Sequence, residues 1–279
     1  MNLYGFTWLS IVSILSEAIL SRISEAHKLF NSQNLITNMK PTHEFINKTL
    51  FFPEKGILAV GDLHIGYETA LLNSGIILPE IQAEEVIKEL KEIIEEIKSK
   101  KYKLKKIIFL GDIKHAFGYE WKEKANFKKV LEFLKEYIPG KNVVLVKGNH
   151  DTMELGTHLK DHHIEGDAFF AHGHQQLIQM YDKKIKTVVS GHLHPSVTLK
   201  EKHGAKKETY KCFITGKSKG KTFFILPSFL NFVEGTPVNT YKEDYIESFS
   251  IVPEKDILNF DIYVIGEDKT YRFGKIKDL

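Results

Sequence analysis

Five segments of this 279-residue chain end alike. ILAV runs into Gly61-Asp62-Leu63-His64, and KIIFL into Gly111-Asp112-Ile113-Lys114-His115. VVLV leads to Gly148-Asn149-His150-Asp151, AFFA to His172-Gly173-His174, and TVVS to Gly191-His192-Leu193-His194. Each is an apolar run followed by a polar turn of Asp, Asn or His. Carboxylate, amide and imidazole donors without a thiolate suit manganese, iron or zinc and not an iron–sulfur cluster. Two such ions about 3.5–4 Å apart clamp a phosphoryl group and lower the pKa of a water between them. Taken singly, each motif has an ordinary reading: a solvated strand end, a plain turn, a pair of surface histidines. An ordered set of five is not expected of independent strand ends. No Gly-X-Ser-X-Gly elbow, Walker loop or dinucleotide Gly-X-Gly-X-X-Gly competes with it, and the single cysteine, Cys212, stands in no motif.

Such residues meet only if the apolar runs are buried strands whose ends converge on one mouth, as in α/β folds. The rest of the chain supplies those elements. Residues 81–99 carry Val86, Ile87, Leu90, Ile93, Ile94 and Ile97 at helical spacing, which predicts a surface helix packed on a sheet. Residues 121–137 repeat the pattern with Phe127, Val130, Leu131 and Leu134. After residue 196, TLKEKH, TYKCFIT and KTFFILPSF read as β-hairpins, and DIYVIGE with TYRFGKI as a final one.

The chain has 39 Lys+Arg against 36 Asp+Glu, so overall charge neither demands nor excludes a nucleic acid. One cysteine forms no internal disulfide, and a reducing cytoplasm is expected. The apolar run at 6–20 is too short to span a bilayer, is broken by Glu17, and lacks the preceding positive charge of a secretory signal. No membrane association is expected. With Leu9, Val12, Ile19, Ile23 and Leu29 it reads as an amphipathic helix. The expected organisation is an extension over 1–38, outside the working protein, and a catalytic domain over 39–279.

In type and order, the five blocks resemble the calcineurin-like metallophosphoesterases, whose pattern is Asp-X-His, Gly-Asp, Gly-Asn-His-Asp/Glu, His, Gly-His-X-His. DLHIGYE, GDIKHAFG, YKCFITGKSKGKTFFILPSF and the C-terminal YRFGKIKDL look like the archaeal SbcD-related phosphoesterases. These are similar to the manganese-dependent DNA endonuclease found beside bacterial ligases and helicases. The resemblance implies an α/β fold: a four-layer α-β-β-α sandwich with two mixed sheets. It implies two divalent metal ions, manganese foremost, with iron, zinc or nickel as alternatives. Asp62, His64, Asp112 and His194 would hold the first ion; Asp112 would bridge to the second, completed by Asn149, His172 and His192. His150 would act on the transition state or the leaving oxygen, with Asp151 orienting its imidazole. His115 is a second candidate for the phosphate. His174 is either a support to the ligands or solvated.

Other histidines are left aside. His158, His162 and His163 lie in the polar stretch ELGTHLKDHH, read as a solvated loop, and His27, His43 and His203 have no motif around them. Lys114 is expected to be solvated.

Phosphoprotein phosphatases of this superfamily grip phosphate with arginines in the second and third blocks; GDIKHAFG and GNHDTM contain none. Residues 200–221 carry eight lysines against two glutamates, with Tyr210 and Phe213 between them. A basic ribbon with aromatics can track a phosphate backbone and stack bases. The expected substrate is therefore DNA, single-stranded by preference, cleaved as a phosphodiester in repair or processing. A helicase or ligase partner is implied by the resemblance. The alternatives are a small-molecule or cyclic-nucleotide phosphodiesterase and, from another class, a non-catalytic scaffold.

Overall fold

Two mixed sheets pack face to face in the computed structural model, which describes residues 41–117, 121–151, 158–200, 207–240 and 250–279. The first sheet holds β1 (Glu44–Ile46), β2 (Thr49–Phe52), β3 (Ile57–Val60), β4 (Lys106–Phe109) and β5 (Val143–Leu145), neighbours in that order. β3, β4 and β5 run parallel. The second sheet holds β6 (His162–Glu165), β7 (Ala168–Ala171), β8 (Thr187–Ser190), β9 (Pro195–Lys200), β10 (Lys207–Ser218), β11 (Lys221–Ile225), β12 (Thr236–Pro237), β13 (Asp261–Ile265) and β14 (Thr270–Lys275). Its order is β12-β9-β10-β11-β8-β7-β6, with β13 also pairing β10 and β14. β7, β8 and β11 run parallel. All four residues of β3 and of β7 are buried, as continuous apolar runs covered on both faces should be.

Leu50, Ala59, Ile108 and Val144 of the first sheet meet Phe170, Val189, Phe213 and Phe224 of the second in a core between the sheets. The first sheet's other face is covered by helices α2 (Gln82–Ser99) and α3 (Trp121–Leu134), following a shorter α1 (Tyr67–Asn73). α2 buries Ala83, Val86, Leu90, Ile93, Ile94 and Ile97 along one stripe, as its spacing predicts. Each such Leu or Ile contributes about 1.5–3 kcal/mol by leaving water. The second sheet's outer face is covered differently. Among the described residues its helical cover is the four-residue α4 (Glu254–Ile257) and short 3-10 turns at Ile178–Tyr181 and Ile276–Asp278. Among the described residues, these short elements supply the helical part of the fourth layer. The expected helix at 6–29 lies outside the described residues. No helix among the described residues is long and apolar enough to cross a membrane.

Candidate metal centre

Parallel pairing sets the site. β3, β4 and β5 in one sheet and β7 and β8 in the other deliver their C-terminal ends to the same edge of the sandwich, and the five polar turns follow them. Leu63, Ile113 and Leu193, the middle residues of the Asp-X-His-type turns, are fully buried. Anchoring the middle side chain turns its polar neighbours toward the mouth. Backbone bonds lace the turns together: His64 N donates to Asp112 O at 2.9 Å, His115 N to Ile65 O at 3.0 Å, and Gly191 N to His172 O at 2.9 Å.

The turns are conformationally costly. Among the described residues, His64, Asp112, His192 and His194 have φ of 46°, 45°, 67° and 49°, a region that side chains other than glycine occupy at a cost. Two glycines admit the carboxylates. A Cβ on Gly148 would lie 2.1 Å from Asp112 Oδ1, and one on Gly191 would lie 2.3 Å from Asp62 Oδ2.

Two donor groups result. In the first, His194 Nε2 lies 3.3 Å from Asp62 Oδ1 and 3.4 Å from His64 Nε2, with His64 Nε2 3.8 Å from Asp112 Oδ2. In the second, His172 Nε2 lies 3.0 Å from Asn149 Oδ1, 3.0 Å from His192 Nδ1 and 3.4 Å from Asp112 Oδ2. Asp112 Oδ2 faces both groups. His172 Nδ1 donates to Leu110 O at 2.9 Å, so in the neutral ring Nε2 is an acceptor. Each group thus gathers acceptor atoms at one point, which is the chemistry of a cation site, and the residues fit a pair of divalent ions.

The field is consistent with this. Burial pushes the Asp62 carboxyl up, but His194 and His172 outweigh it and hold it below the ordinary value. Asp112 behaves likewise: burial pushes it up, but the His172 hydrogen bond together with the charges of His172 and His64 holds it below the ordinary value. Burial, then the charge of His194, pushes His64 down to about 3; burial, then His172, pushes His192 down to about 4. These two rings stay neutral at pH 7, as ligands must. His172 is the opposite case: burial lowers it, but Asp62 and Asp112 together raise it.

His150 and His115 flank the first group. His115 Nδ1 faces His64 Nδ1 at 3.5 Å, and His150 Nε2 lies 3.9 Å from Asp112 Oδ2. The expected Asp151–His150 pairing is not what the structure contains. Asp151, 1% exposed, accepts from the backbone N–H groups of Gly148 at 2.9 Å and Ile113 at 3.1 Å. It staples two turns. His150 is oriented instead by the His115 carbonyl, 2.5 Å from its Nδ1.

Other expectations change too. Lys114 is buried, with Nζ donating to the Ala116 carbonyl. His162 and His163 belong to strand β6, where His162 stacks on Phe169 and His163 pairs with Glu165. His158 is exposed beside a cavity of about 580 Å³ between α3 and β5. His174 is exposed, its ring 5.3 Å from His172 and outside both donor groups. The basic stretch is not one ribbon. Lys211 donates to Ser228 Oγ, and Lys221 is buried against the Asp182 and Ile185 carbonyls. Phe213 is 0% exposed in the core between the sheets, and Tyr210 packs on the second sheet's outer core. Pairing of β10 with β9 puts Lys211 opposite Ser196, at the site's level, so Lys217 and Lys219 lie about 20 Å or more along the strand at the opposite end. Lys207 pairs with Lys200 on the near side; Lys206 lies outside the described residues.

Sequence reasoning missed Gln82. Buried at the start of α2, it donates to Leu63 O and His64 O at 3.1 and 2.9 Å and accepts from Gly66 N at 2.9 Å. No local signal marks it, because its partners are 16 to 19 residues away.

The calcineurin-like phosphoesterase family model matches residues 56–179, which include four of the five turns. A nuclease from Pseudomonas putida has a similar structure, with a TM-score of 0.54 and 20% identity over 81% of this chain and 92% of that one. A metallophosphoesterase from Sphaerobacter thermophilus scores 0.31 at 14% identity, over 78% of this chain and 88% of its own. No curated protein is similar enough in sequence to count as a relative.

Proposed function

We propose that this chain, a metal-dependent phosphoesterase with a calcineurin-like phosphoesterase domain, hydrolyses phosphodiesters and acts on DNA, single strands foremost. The observation that carries the reading is Asp112 Oδ2, shared between two groups of acceptor atoms. Asp62, His64, Asp112 and His194 would hold one divalent ion; Asp112, Asn149, His172 and His192 would hold the other. Manganese is the proposed ion on the thiolate-free donor set. Bound divalent ions supply charge neutralisation at the phosphoryl oxygens and acidify water enough for attack at neutral pH.

The chain's own residues supply the rest. His172 Nδ1–H, held on Leu110 O, fixes the ring so that Nε2 faces inward. His150 is fixed in the same way by the His115 carbonyl, so its Nε2 is the atom that exchanges a proton with the leaving oxygen. His115, half-buried beside it, is placed to donate to a phosphoryl oxygen. Asp151 keeps the Asp112 and His150 turns in register.

The DNA reading draws support from the nuclease of similar fold and from the lysine-rich run of sequence that holds Lys200, Lys202, Lys206 and Lys207. A metal-by-substrate matrix tests it: manganese, zinc, nickel and magnesium against an aryl phosphodiester, a phosphomonoester, a cyclic nucleotide and single-stranded DNA. Manganese-dependent cleavage of the aryl diester and of DNA is expected. Turnover of the monoester or the cyclic nucleotide alone would contradict the DNA reading.

A further inference from the structure

A row of ring contacts borders the first donor group. Phe117 stacks on His150 with centroids 4.0 Å apart and planes at 26°. His150 lies 5.6 Å from His115, Tyr67 meets His115 edge-on at 4.9 Å, and Phe232 stacks on Tyr67 at 5.9 Å. The five rings come from the segments after β3, β4, β5 and β11, so tertiary structure assembles the row. Phe117 is 59% exposed. Of the exposed aromatic side chains among the described residues, it is the one in described ring contact with a site histidine. An exposed phenyl ring adds little to a core, and a histidine already fixed by the His115 carbonyl needs no further support. In the basic stretch Phe213 is fully buried and offers bases no platform, and Tyr210, partly buried, packs on the second sheet's outer core.

We infer that this row is a stacking subsite for the nucleobase beside the reacting phosphate, with Phe117 as its outer platform. The inference rests on the phosphodiesterase reading and adds what the diester carries on its leaving side: a nucleoside, not an alkyl or bare sugar group. The base lies next to His150, the residue placed to protonate the leaving oxygen. Stacking is tolerant of sequence because every base has a π-face, and it is worth about 5- to 150-fold per base. A DNA strand and a free nucleotide diester share this chemistry.

The test uses the manganese-loaded full chain on a thymidine dinucleotide and on the same compound with an abasic sugar on the leaving side. A short single strand and a 3′,5′-cyclic nucleotide distinguish the two sources. The readout is the ratio of kcat/KM with and without the base. About 5- to 150-fold is expected for the wild type, collapsing to about one in Phe117→Ala and retained in Phe117→Trp. If Phe117 merely propped up His150, Phe117→Ala would slow both substrates alike and leave the ratio unchanged, which overturns the inference. A wild-type ratio near one overturns it as well, with the diesterase reading intact. Failure to cleave either dinucleotide, with a phosphomonoester turned over, removes the diesterase reading itself and this inference with it. A base-dependent ratio supports the subsite, and the more efficiently cleaved of strand and cyclic nucleotide identifies the source.

Discussion

The two donor groups share Asp112 but are built differently. Around the second, His172 is 1% exposed, its Nδ1 is tied to a main-chain carbonyl, and Asn149 and His192 both stand 3.0 Å from its Nε2. Around the first, His194 is half-buried, the separations run from 3.3 to 3.8 Å, and the turn of Asp62 and His64 is held by a side chain, Gln82. The first group also faces His115, His150 and the ring row. The difference teaches a division of labour: one group has its central imidazole tied to a main-chain carbonyl, and the other borders the histidines and rings proposed to meet substrate.

The largest effect should come from removing what the two groups share. Asp112→Ala is expected to lose both ions and more than about 10⁴-fold in turnover, read by metal analysis and kinetics on an aryl diester. Full metal content in that variant would break the account of the bridge. Next comes chemistry without binding. His150→Ala should keep both ions and lose about 10²–10⁴-fold in kcat, the usual contribution of a positioned acid or base. If metal analysis finds His150→Ala empty, its role is that of a ligand.

Gln82→Ala sharpens the contrast between the groups. It removes two hydrogen bonds to the Leu63 and His64 carbonyls, so the first ion should bind about 10-fold to 100-fold more weakly, with the second unchanged. Calorimetric titration resolves the two steps, and equal weakening of both would erase the distinction. The smallest effect concerns the lysines. Lys206→Gln with Lys207→Gln should lower the salt slope of single-strand binding by roughly 0.7 per contact, while Lys217→Gln with Lys219→Gln should leave it unchanged. The reverse pattern would move the DNA path to the far end of the sheet.

Much of this centre was legible in the sequence because its signal is local. An apolar run followed by Asp-X-His states both a buried strand and two outward donors, and the buried Leu63 and Leu193 show why the spacing works. The helices over Gln82–Ser99 and Trp121–Leu134 were equally plain from their periodicity. What the sequence hid is tertiary. Asp151 follows His150 directly, yet its carboxylate turns to main-chain N–H groups of its own turn, at Gly148, and of the Asp112 turn, at Ile113, a choice no spacing reveals. Lys211 and Phe213 look like members of a solvated ribbon, but β10 is a long interior strand paired on both sides, and it buries Phe213. Gln82 and the ring row depend on segments distant in the chain.

The most direct test of the dimetal centre is a manganese titration of chelator-stripped protein, with hydrolysis of an aryl phosphodiester followed at each step. The stripped protein should be inactive, and activity should rise until two ions are bound per chain, then level off. Full turnover in chelator, or complete recovery at one equivalent with no second ion bound, would contradict a centre bridged by Asp112.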